Sequence, residues 1–208
     1  MMVLGRNGEV INPYPSLALG EFKVVEASIE KKARLKSVIT YLEMNEKPVS
    51  VPPVSPARPL AMLRAKKPTI SFYRYLYNNI GADWLWWERR AWSDEVLRDV
   101  ISSDNLEIYV LYIEGVPAGY GELDFRETHE VELSYFGLLP EFIGQGLGGF
   151  FLRWLIDQAW RNKVRRLHVH TCTEDHPSAL YLYQKHGFKP YRQLSVEIDH
   201  PKNSGLFN

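Results

Sequence analysis

The sequence predicts a mixed α+β domain, and three observations lead to that fold class. A hairpin pattern runs over 107–113 and 116–125 around the turn Glu114-Gly115, which indicates an antiparallel front half. Later, a strand, a helix and a second strand follow in succession, and such a crossover should be parallel and right-handed. With 208 residues the chain can also bury a full core without covalent staples.

Before the hairpin, we predict an extension, a strand and a long loop. Residues 1–35 are weakly patterned and form an N-terminal extension to the domain, which covers 36–208. The segment 36–44 is rich in β-branched and aromatic residues and predicts the first strand. Six prolines follow within 48–68, and because proline fixes φ and removes a donor, this stretch should be a connecting loop.

Two helices should precede the hairpin and two should follow it. The segment 71–80 predicts a short helix ended by Gly81, and Ser93 has the character of an N-cap with acidic residues in the first turn behind it. Pro177 suits the first position of the last helix, which ends at Gly187. The other predicted elements are a strand at 131–139, a helix at 146–160, a strand at 167–171 and extended segments at 188–192 and 194–198.

Composition excludes several classes of protein. Lysine plus arginine and aspartate plus glutamate both number 25, so the net charge is zero and predicts no nucleic-acid or membrane partner. The chain is 45% hydrophobic and 24% charged, which are ordinary globular values. It contains a single cysteine, Cys172, and neither a long apolar run nor a signal-peptide pattern at its start, so we expect a cytoplasmic protein.

A glycine-rich loop carries the main chemical signal. Residues 138–149 read LLPEFIGQGLGG between a strand and a helix, where free backbone N–H groups can receive phosphate. Gly144, Gly146 and Gly149 satisfy the G-x-G-x-x-G pattern of dinucleotide-binding folds, which leaves an NAD-dependent oxidoreductase as one interpretation. Against it, the hairpin precedes the loop and too little chain follows for further βαβ units.

Two motifs together resemble the GNAT superfamily of N-acetyltransferases. In place of that family's Arg/Gln-x-x-Gly-x-Gly/Ala, residues 143–148 read IGQGLG, and residues 176–188 read HPSALYLYQKHGF where the family has Asn-x-x-Ala-x-x-x-Tyr-x-x-x-Gly-Phe. The core motifs lie within 107–192. The resemblance implies a mostly antiparallel sheet of about six or seven strands with helices on both faces and one parallel strand pair, splayed to admit pantetheine.

The resemblance also implies a site for acetyl-CoA as cosubstrate. Ile143 stands where the family has a basic or amide residue, so one side-chain contact to pyrophosphate is missing, although Gln145 is a candidate replacement. His176 replaces an asparagine that bonds the pantetheine amide. The residues assigned to the cofactor are Leu138, Ile143, Gly144, Gln145, Gly146, Leu147, Gly148 and His176.

Two residues are assigned to catalysis by the same resemblance. Tyr183 matches the family's general acid, which protonates the departing sulfur, and Tyr181 is its natural control. Glu132 matches a general base, directly or through water, and we expect it to share a strand face with Glu130, Ser134 and Phe136. The reserve candidates for the base are Glu122 and Asp124.

Other chemistry-bearing residues have simpler interpretations. His168 and His170 alternate on a strand, where packing is a more common role than metal binding, so no metal is expected. Cys172 is interpreted as a small buried residue rather than a nucleophile. In the family that the motifs resemble, the first two helices and their connecting loop wall the acceptor site, which makes four aromatic residues candidates for an amine pocket: Tyr73, Tyr77, Trp84 and Trp87.

The predicted function is transfer of an acetyl group from acetyl-CoA to a primary amine by direct attack through a tetrahedral intermediate. The acceptor is a small-molecule or peptide amine, and relatives that pair through their last strands make a homodimer an option. Three alternatives remain at this point. They are a non-catalytic acyl-CoA sensor, the nicotinamide oxidoreductase, and an interaction module using the PxxP spacing of the proline tract.

Overall fold

The structure, a computed structural model, describes residues 34–49, 56–161 and 163–205, and it forms a seven-stranded sheet flanked by helices. The strands are Arg34–Met44 (β1), Leu60–Arg64 (β2), Leu106–Ile113 (β3), Val116–Asp124 (β4), Glu130–Leu138 (β5), Arg166–Cys172 (β6) and Lys189–Asp199 (β7). The helices are Ile70–Ile80 (α1), Asp94–Ile101 (α2), Leu147–Ala159 (α3) and Ala179–Lys185 (α4).

The strand order is β2-β3-β4-β5-β6-β1-β7, and every adjacent pair is antiparallel except β5 and β6. This confirms the predicted fold class, the number of strands and the single parallel pair. A doubly wound parallel sheet, which the dinucleotide interpretation requires, is not what the described residues form. The predicted extension 1–35 lies outside the described residues except for its last two, which begin β1.

The proline-rich segment contains a strand that the sequence did not predict. Within 48–68 we expected a connecting loop, yet β2 pairs with β3 from Leu60↔Ile113 to Arg64↔Tyr109. The five residues of β2 contain no proline, and an edge strand needs hydrogen bonds on one side alone. The prolines therefore lie on either side of a short strand, and they do not prevent that strand from forming.

The two extended segments predicted at the end form one strand, β7. Ten of its eleven residues pair with β1, and the register shifts where Tyr41 faces Arg192 and Leu42 faces Pro190. The unmatched Tyr191 marks a β-bulge, which interrupts the alternation of side chains without ending the strand.

Serine and threonine caps set the starts of the first two helices. The Thr69 side chain accepts a hydrogen bond from the N–H of Phe72, and Ser93 accepts one from Val96, as its sequence position predicted. At the other end of α1, the N–H of Gly81 bonds to the carbonyl of Tyr77. Helix α1 therefore stops where predicted, and the tryptophan-rich segment 84–92 begins immediately beyond it.

Helices cover both faces of the sheet, as predicted. On one face, α3 and α4 bury an apolar cluster that includes Phe151, Leu155 and Tyr183. On the other, α1 and α2 bury an aromatic-rich cluster that includes Tyr73 and Trp86. We call these the α3 face and the α1 face. Both are needed to exclude water from the sheet, whose central strands carry apolar residues on each side.

Strands β5 and β6 separate after a short parallel ladder. Pairing joins Glu130 to Arg166, Val131 to Leu167 and Glu132 to His168, and no later residues of the two strands pair. The strands run on for six and four residues beyond this point. The gap between them is the splay that the family resemblance implied.

A bulge in β5 overturns one prediction about side-chain direction. Glu122 faces Tyr135 on the neighbouring strand while Leu123 faces Leu133, so Ser134 is an extra residue that reverses the alternation. Phe136 packs on the α3 face against Phe151, whereas Glu132, between Val131 and Leu133 of that same apolar cluster, points to the α1 face. The expected common face of Glu130, Glu132, Ser134 and Phe136 was therefore wrong.

Candidate active site

A cavity of about 400 Å³ occupies the gap between β5 and β6. It extends from the glycine loop to helix α4 and to the tryptophan-rich segment. Seven of the residues predicted for the site line it: Leu138, Ile143, Gly144, Gly146, Gly148, His176 and Tyr183. Motifs that are separated by about 30 residues in the sequence thus meet at one cavity.

The glycine loop presents open backbone at the cavity. Gly144 and Gly146 have φ values of 79° and 76°, in the left-handed region that glycine adopts without strain. A Cβ atom added at either position would lie more than 4 Å from every described residue other than its chain neighbours, so the loop leaves open space at these two glycines. Gly146 caps α3, while the fully buried Leu147 anchors its first turn. The free N–H groups of that turn can donate hydrogen bonds to an anion.

The side chain of Gln145 is bound within the chain. Its carbonyl oxygen accepts a hydrogen bond from Arg58 at 2.5 Å, and its amide nitrogen donates to the carbonyl of Glu141 at 2.6 Å. Ile143 is 38% exposed at the cavity mouth. Arg58 therefore brings a positive charge to a loop whose own motif lacks one. Sequence reasoning missed Arg58, because a basic residue among prolines gives no sign of a contact 87 positions later.

His176 lies in the turn after β6, where its Nδ1 accepts a hydrogen bond from the N–H of Ser178. Its ring contacts the edge of Trp84, with centroids 4.9 Å apart. The preceding Asp175 accepts hydrogen bonds from the hydroxyl of Thr171 and the N–H of Cys172, which fix the turn. The imidazole is thereby held at the cavity wall with Nε2 as its remaining polar atom.

Tyr183 is buried beneath the cavity, with its ring packed between Phe136 and Phe188. Among the described residues its hydroxyl has no hydrogen-bond partner. Burial, reinforced by the charge of Asp175, raises the pKa of Tyr183 above its ordinary value. The phenol therefore stays protonated and can act as a proton donor. Tyr181, two residues earlier, is 66% exposed and does not line the cavity.

Glu132 pairs with a residue that the sequence did not single out for chemistry. Its Oε1 lies 3.2 Å from Nδ1 of His170, which the sequence had suggested was a packing residue. Burial disfavours the carboxylate, but the hydrogen bond and charge of His170 outweigh it, aided by His168 and Arg126, and lower the pKa of Glu132 to about 2. Such a carboxylate is a weak base, and it is His170 that lines the cavity.

Both reserve candidates for the base are engaged elsewhere. Glu122 is completely buried and accepts hydrogen bonds from the Tyr73 hydroxyl at 2.5 Å and from Arg89 at 3.1 Å. Burial raises its pKa, while the charge of Arg89 and the bond from Tyr73 oppose that rise. Asp124 binds the guanidinium of Arg126. Neither carboxylate lines the cavity.

A smaller pocket of about 50 Å³ adjoins the cavity on the α1 face. Four residues line both spaces: Trp84, Trp86, His170 and Asp175. Of the predicted amine-pocket residues, Trp84 and Trp87 line this pocket, but Tyr73 and Tyr77 do not. The two tyrosines are fully buried in the core against Glu122 and Glu88, since α1 turns its apolar side to the sheet.

The structure indicates neither a reactive thiol nor a metal centre among the described residues of the site. Cys172 lines the smaller pocket, and burial raises the pKa of its thiol, which makes it a poor nucleophile. Within the described ranges, no three metal-binding side chains lie close enough together to hold an ion. None of the described helices combines the length and apolar composition needed to cross a bilayer.

Comparisons with known proteins point to one family. Residues 74–188, more than half of the chain, match the model of the acetyltransferase (GNAT) family. No curated protein sequence matches the chain significantly.

Solved structures share the fold at low sequence identity. A GCN5-related N-acetyltransferase from Kribbella flavida has a TM-score of 0.56 at 15% identity, over 81% of this chain and 60% of that one. A putative GNAT-family acetyltransferase from Novosphingobium aromaticivorans has a TM-score of 0.53 at 16% identity, over 77% and 63%. An aminoglycoside acetyltransferase from an uncultured soil metagenomic sample has a TM-score of 0.52 at 14% identity, over 62% and 87%.

The alignments span less than two thirds of the Kribbella and Novosphingobium proteins. Even so, the family match covers β3 to β6, the glycine loop and α4, which are the elements that build the cavity. The chain belongs to the acetyltransferase (GNAT) family.

Proposed function

We propose that this protein transfers an acetyl group from acetyl-CoA to a primary amine by direct attack. One observation carries the proposal. A single cavity, in the gap between β5 and β6, is lined by the open glycine loop and by Tyr183. That arrangement can hold phosphates at one end and a proton donor at the other, as transfer from a CoA thioester requires.

Phosphate binding is assigned to the backbone of Ile143, Gly144, Gln145, Gly146, Leu147 and Gly148. Open glycine backbone and the free N–H groups at the start of α3 support this role. Arg58, held at Gln145, supplies positive charge that Ile143 lacks. The proposal therefore does not depend on the missing basic residue of the motif.

Pantetheine binding is assigned to the gap itself. Leu138 lines the cavity at the end of β5, and we infer that its backbone N–H faces the thioester carbonyl and stabilises the oxyanion. His176 is assigned to a pantetheine amide through Nε2, because Nδ1 is used by Ser178. Both assignments need the extended cofactor to lie along the separated strands.

Catalysis requires one group that gives a proton and one that takes it. Tyr183 donates its hydroxyl proton to the sulfur as the carbon–sulfur bond breaks, which its raised pKa and buried position support. Glu132 is assigned to deprotonation of the amine, acting through its neighbours rather than by itself. The low pKa of its carboxylate and its contact with His170 favour this indirect role.

The acceptor is assigned to the smaller pocket on the α1 face. Trp84, Trp86 and Trp87 form apolar walls there, while Glu88, Glu174 and Asp175 add acidic groups that suit a cationic amine. A small-molecule or peptide amine fits this chemistry. We place the protein in the cytoplasm because its one cysteine is a free thiol, and its zero net charge gives nucleic acid or membrane no general attraction.

A homodimer would use β7. This strand lies at the edge of the sheet and pairs with β1 on one side, so its other side offers backbone groups to a second copy. Light scattering of the purified protein would give the mass directly, and a monomer at all concentrations would remove the dimer from the proposal.

The first test of function is thermal unfolding with acetyl-CoA, CoA or NADH at equal concentration. A ligand present at 100 times its Kd stabilises the fold by about 2.7 kcal/mol. Stabilisation by acetyl-CoA and CoA supports the proposal, and stabilisation by NADH alone overturns it in favour of the oxidoreductase.

Turnover separates the enzyme from a non-catalytic sensor. Tyr183→Phe should lower kcat by about 10² or more while leaving acetyl-CoA binding intact. Tyr181→Phe is the matched control, since its exposed hydroxyl lies off the cavity. Binding without acetylation of any primary amine would identify a sensor instead.

A further inference from the structure

His170 lies at the junction of the two spaces described above. It follows the last parallel pair, Glu132↔His168, and so stands where β5 and β6 begin to separate. It lines both the large cavity and the smaller pocket. The one other ionisable residue that lines both is Asp175, whose carboxylate already accepts two hydrogen bonds from the turn. His170 is therefore the group placed to exchange a proton with a molecule that spans the junction.

The two ring nitrogens of His170 have different surroundings. Nδ1 lies 3.2 Å from a carboxylate oxygen of Glu132, and because that oxygen accepts, Nδ1 carries the hydrogen. Nε2 is then an acceptor. It is buried, and it has no hydrogen-bond partner among the described residues. Because His170 lines both spaces, a donor that enters beside the ring, from a bound molecule or a water, would satisfy this buried acceptor.

We propose that His170 is the general base of the reaction, with Glu132 as the residue that positions it. The inference rests on the proposed acetyltransferase function and names the atom that takes the proton. It also replaces a direct proton transfer to the Glu132 carboxylate.

The proton balance of the step is as follows. Nε2 of His170 takes one proton from the ammonium form of the acceptor, and the free amine attacks the carbonyl carbon of the thioester. The new carbon–nitrogen bond forms and the carbon–sulfur bond breaks. Tyr183 gives its proton to the sulfur and recovers one from the nitrogen, and His170 releases its proton to solvent. The products are the N-acetyl amine, CoA and one proton.

The surroundings of His170 support proton uptake. Glu132 stabilises the charged imidazole, and the tyrosine ring of Tyr41 packs beside it with centroids 5.5 Å apart. Two ionisable residues contact the ring, Tyr41 of β1 and Glu132 of β5. Four others line the smaller pocket with it: Glu88, Cys172, Glu174 and Asp175. Three basic residues act on those two contacts: His168 and Arg126 on Glu132, and Arg192 on Tyr41.

His168 provides a matched control for His170. Both histidines lie on β6, two residues apart, and both interact with Glu132, but His168 lines neither space. We expect His170→Gln to lower kcat/KM by about 10²-fold or more, with the Kd for acetyl-CoA unchanged. His168→Gln should keep activity close to that of the unmodified protein.

Glu132→Gln tests the positioning role. Without the carboxylate the charged imidazole is less favoured, so the acidic limb of kcat/KM should move to lower pH while the protein stays folded. If the role of Glu132 were purely structural, the substitution would lower the amount of active protein, and the acidic limb of kcat/KM would stay at the same pH. That second result would overturn its part in the proposal.

The experiment measures acetyl-CoA binding by calorimetry and acetylation of ethylamine, phenethylamine, spermidine and a lysine peptide. If the unmodified protein neither binds acetyl-CoA nor acetylates an amine, the proposed function falls and the base assignment falls with it. If it acetylates an amine and His170→Gln matches His168→Gln in kcat/KM, the base assignment alone is overturned.

The tautomer of His170 can be measured without enzymatic turnover. Nitrogen NMR of the labelled protein should show the hydrogen of His170 on Nδ1 and a bare Nε2 above the pH at which the ring is charged. A hydrogen on Nε2 would overturn the base role and leave the proposed acetyltransferase function standing.

Discussion

Two carboxylates on the α1 face of the sheet make an instructive comparison. Glu122 lies on β4 and Glu132 on the adjacent β5. Glu122 accepts a hydrogen bond from an arginine, and Glu132 accepts one from a histidine. Glu122 is fully enclosed by Arg89 and Tyr73. Glu132 retains 23% of its side-chain exposure and is bonded to His170, whose second nitrogen has no partner in the part of the chain that the structure describes.

The difference separates a structural ion pair from a reactive one. Arginine stays charged at every accessible pH, so the pair between Arg89 and Glu122 cannot exchange a proton near neutrality. Histidine can, and His170 lines the cavity. Burial raises the pKa of Glu122, whereas contact with His170 dominates at Glu132 and lowers its pKa to about 2.

The largest effect on stability should come from breaking the buried pair of Glu122 and Arg89. Glu122→Leu leaves the guanidinium of Arg89 buried without its counter-charge, and we expect a loss of about 3–5 kcal/mol in the free energy of unfolding. Urea denaturation followed by tryptophan fluorescence measures it. The double variant Glu122→Leu with Arg89→Met should recover most of that loss, because two apolar groups need no counter-charge. A single-variant loss below about 1 kcal/mol would contradict the structural role.

The pair of Glu132 and His170 should make the free energy of unfolding depend on pH in the acid range. The pKa of Glu132 falls from 4.5 to about 2 on folding, so its stabilisation is complete above pH 4.5 and is lost as the pH drops toward 2. At 1.36 kcal/mol per unit this amounts to at most about 3 kcal/mol. Glu132→Gln should flatten that part of the stability curve, while the exposed Glu141→Gln should leave it unchanged. An unaltered curve in Glu132→Gln would contradict the pairing.

The glycine loop and α4 could be predicted because each is contiguous in sequence. Gly144, Gly146 and Tyr183 occupy fixed offsets within local elements, so their spacing alone aligned them with a known pattern. Their arrival at one cavity then required a single parallel crossover, which the order of elements also predicted.

The pair formed by Glu132 and His170 could not be predicted in the same way. It depends on the register of β5 against β6 and on where the ladder ends, and neither follows from local propensity. The bulge at Ser134 reversed the assumed face for the end of β5. Arg58 and β2 were missed for a related reason, because their partners lie far away in the sequence.

A pair of tyrosines tests the comparison at the level of one hydroxyl. The Tyr73 hydroxyl donates to Glu122, and both groups are fully buried. Tyr73→Phe removes a hydrogen bond to a charged acceptor, so we expect a loss of about 1.5–3 kcal/mol by urea denaturation. A change within 0.5 kcal/mol, on the order of an ordinary surface substitution, would mean that Arg89 alone satisfies the carboxylate.

Tyr41→Phe should have the smallest effect. Tyr41 packs beside the ring of His170, and its hydroxyl is buried with no partner among the described residues. Removing an unsatisfied polar atom is neutral or slightly stabilising, so the free energy of unfolding should change by no more than about 1 kcal/mol and in the favourable direction. The ring that contacts the imidazole remains, and kcat/KM should therefore also be retained. A clear destabilisation, or a loss of activity comparable with that of His170→Gln, would assign the hydroxyl a partner at the junction and make it part of the proton path. Comparison with Tyr73→Phe then shows whether a tyrosine hydroxyl contributes at Glu122 alone or also at the pair of Glu132 and His170.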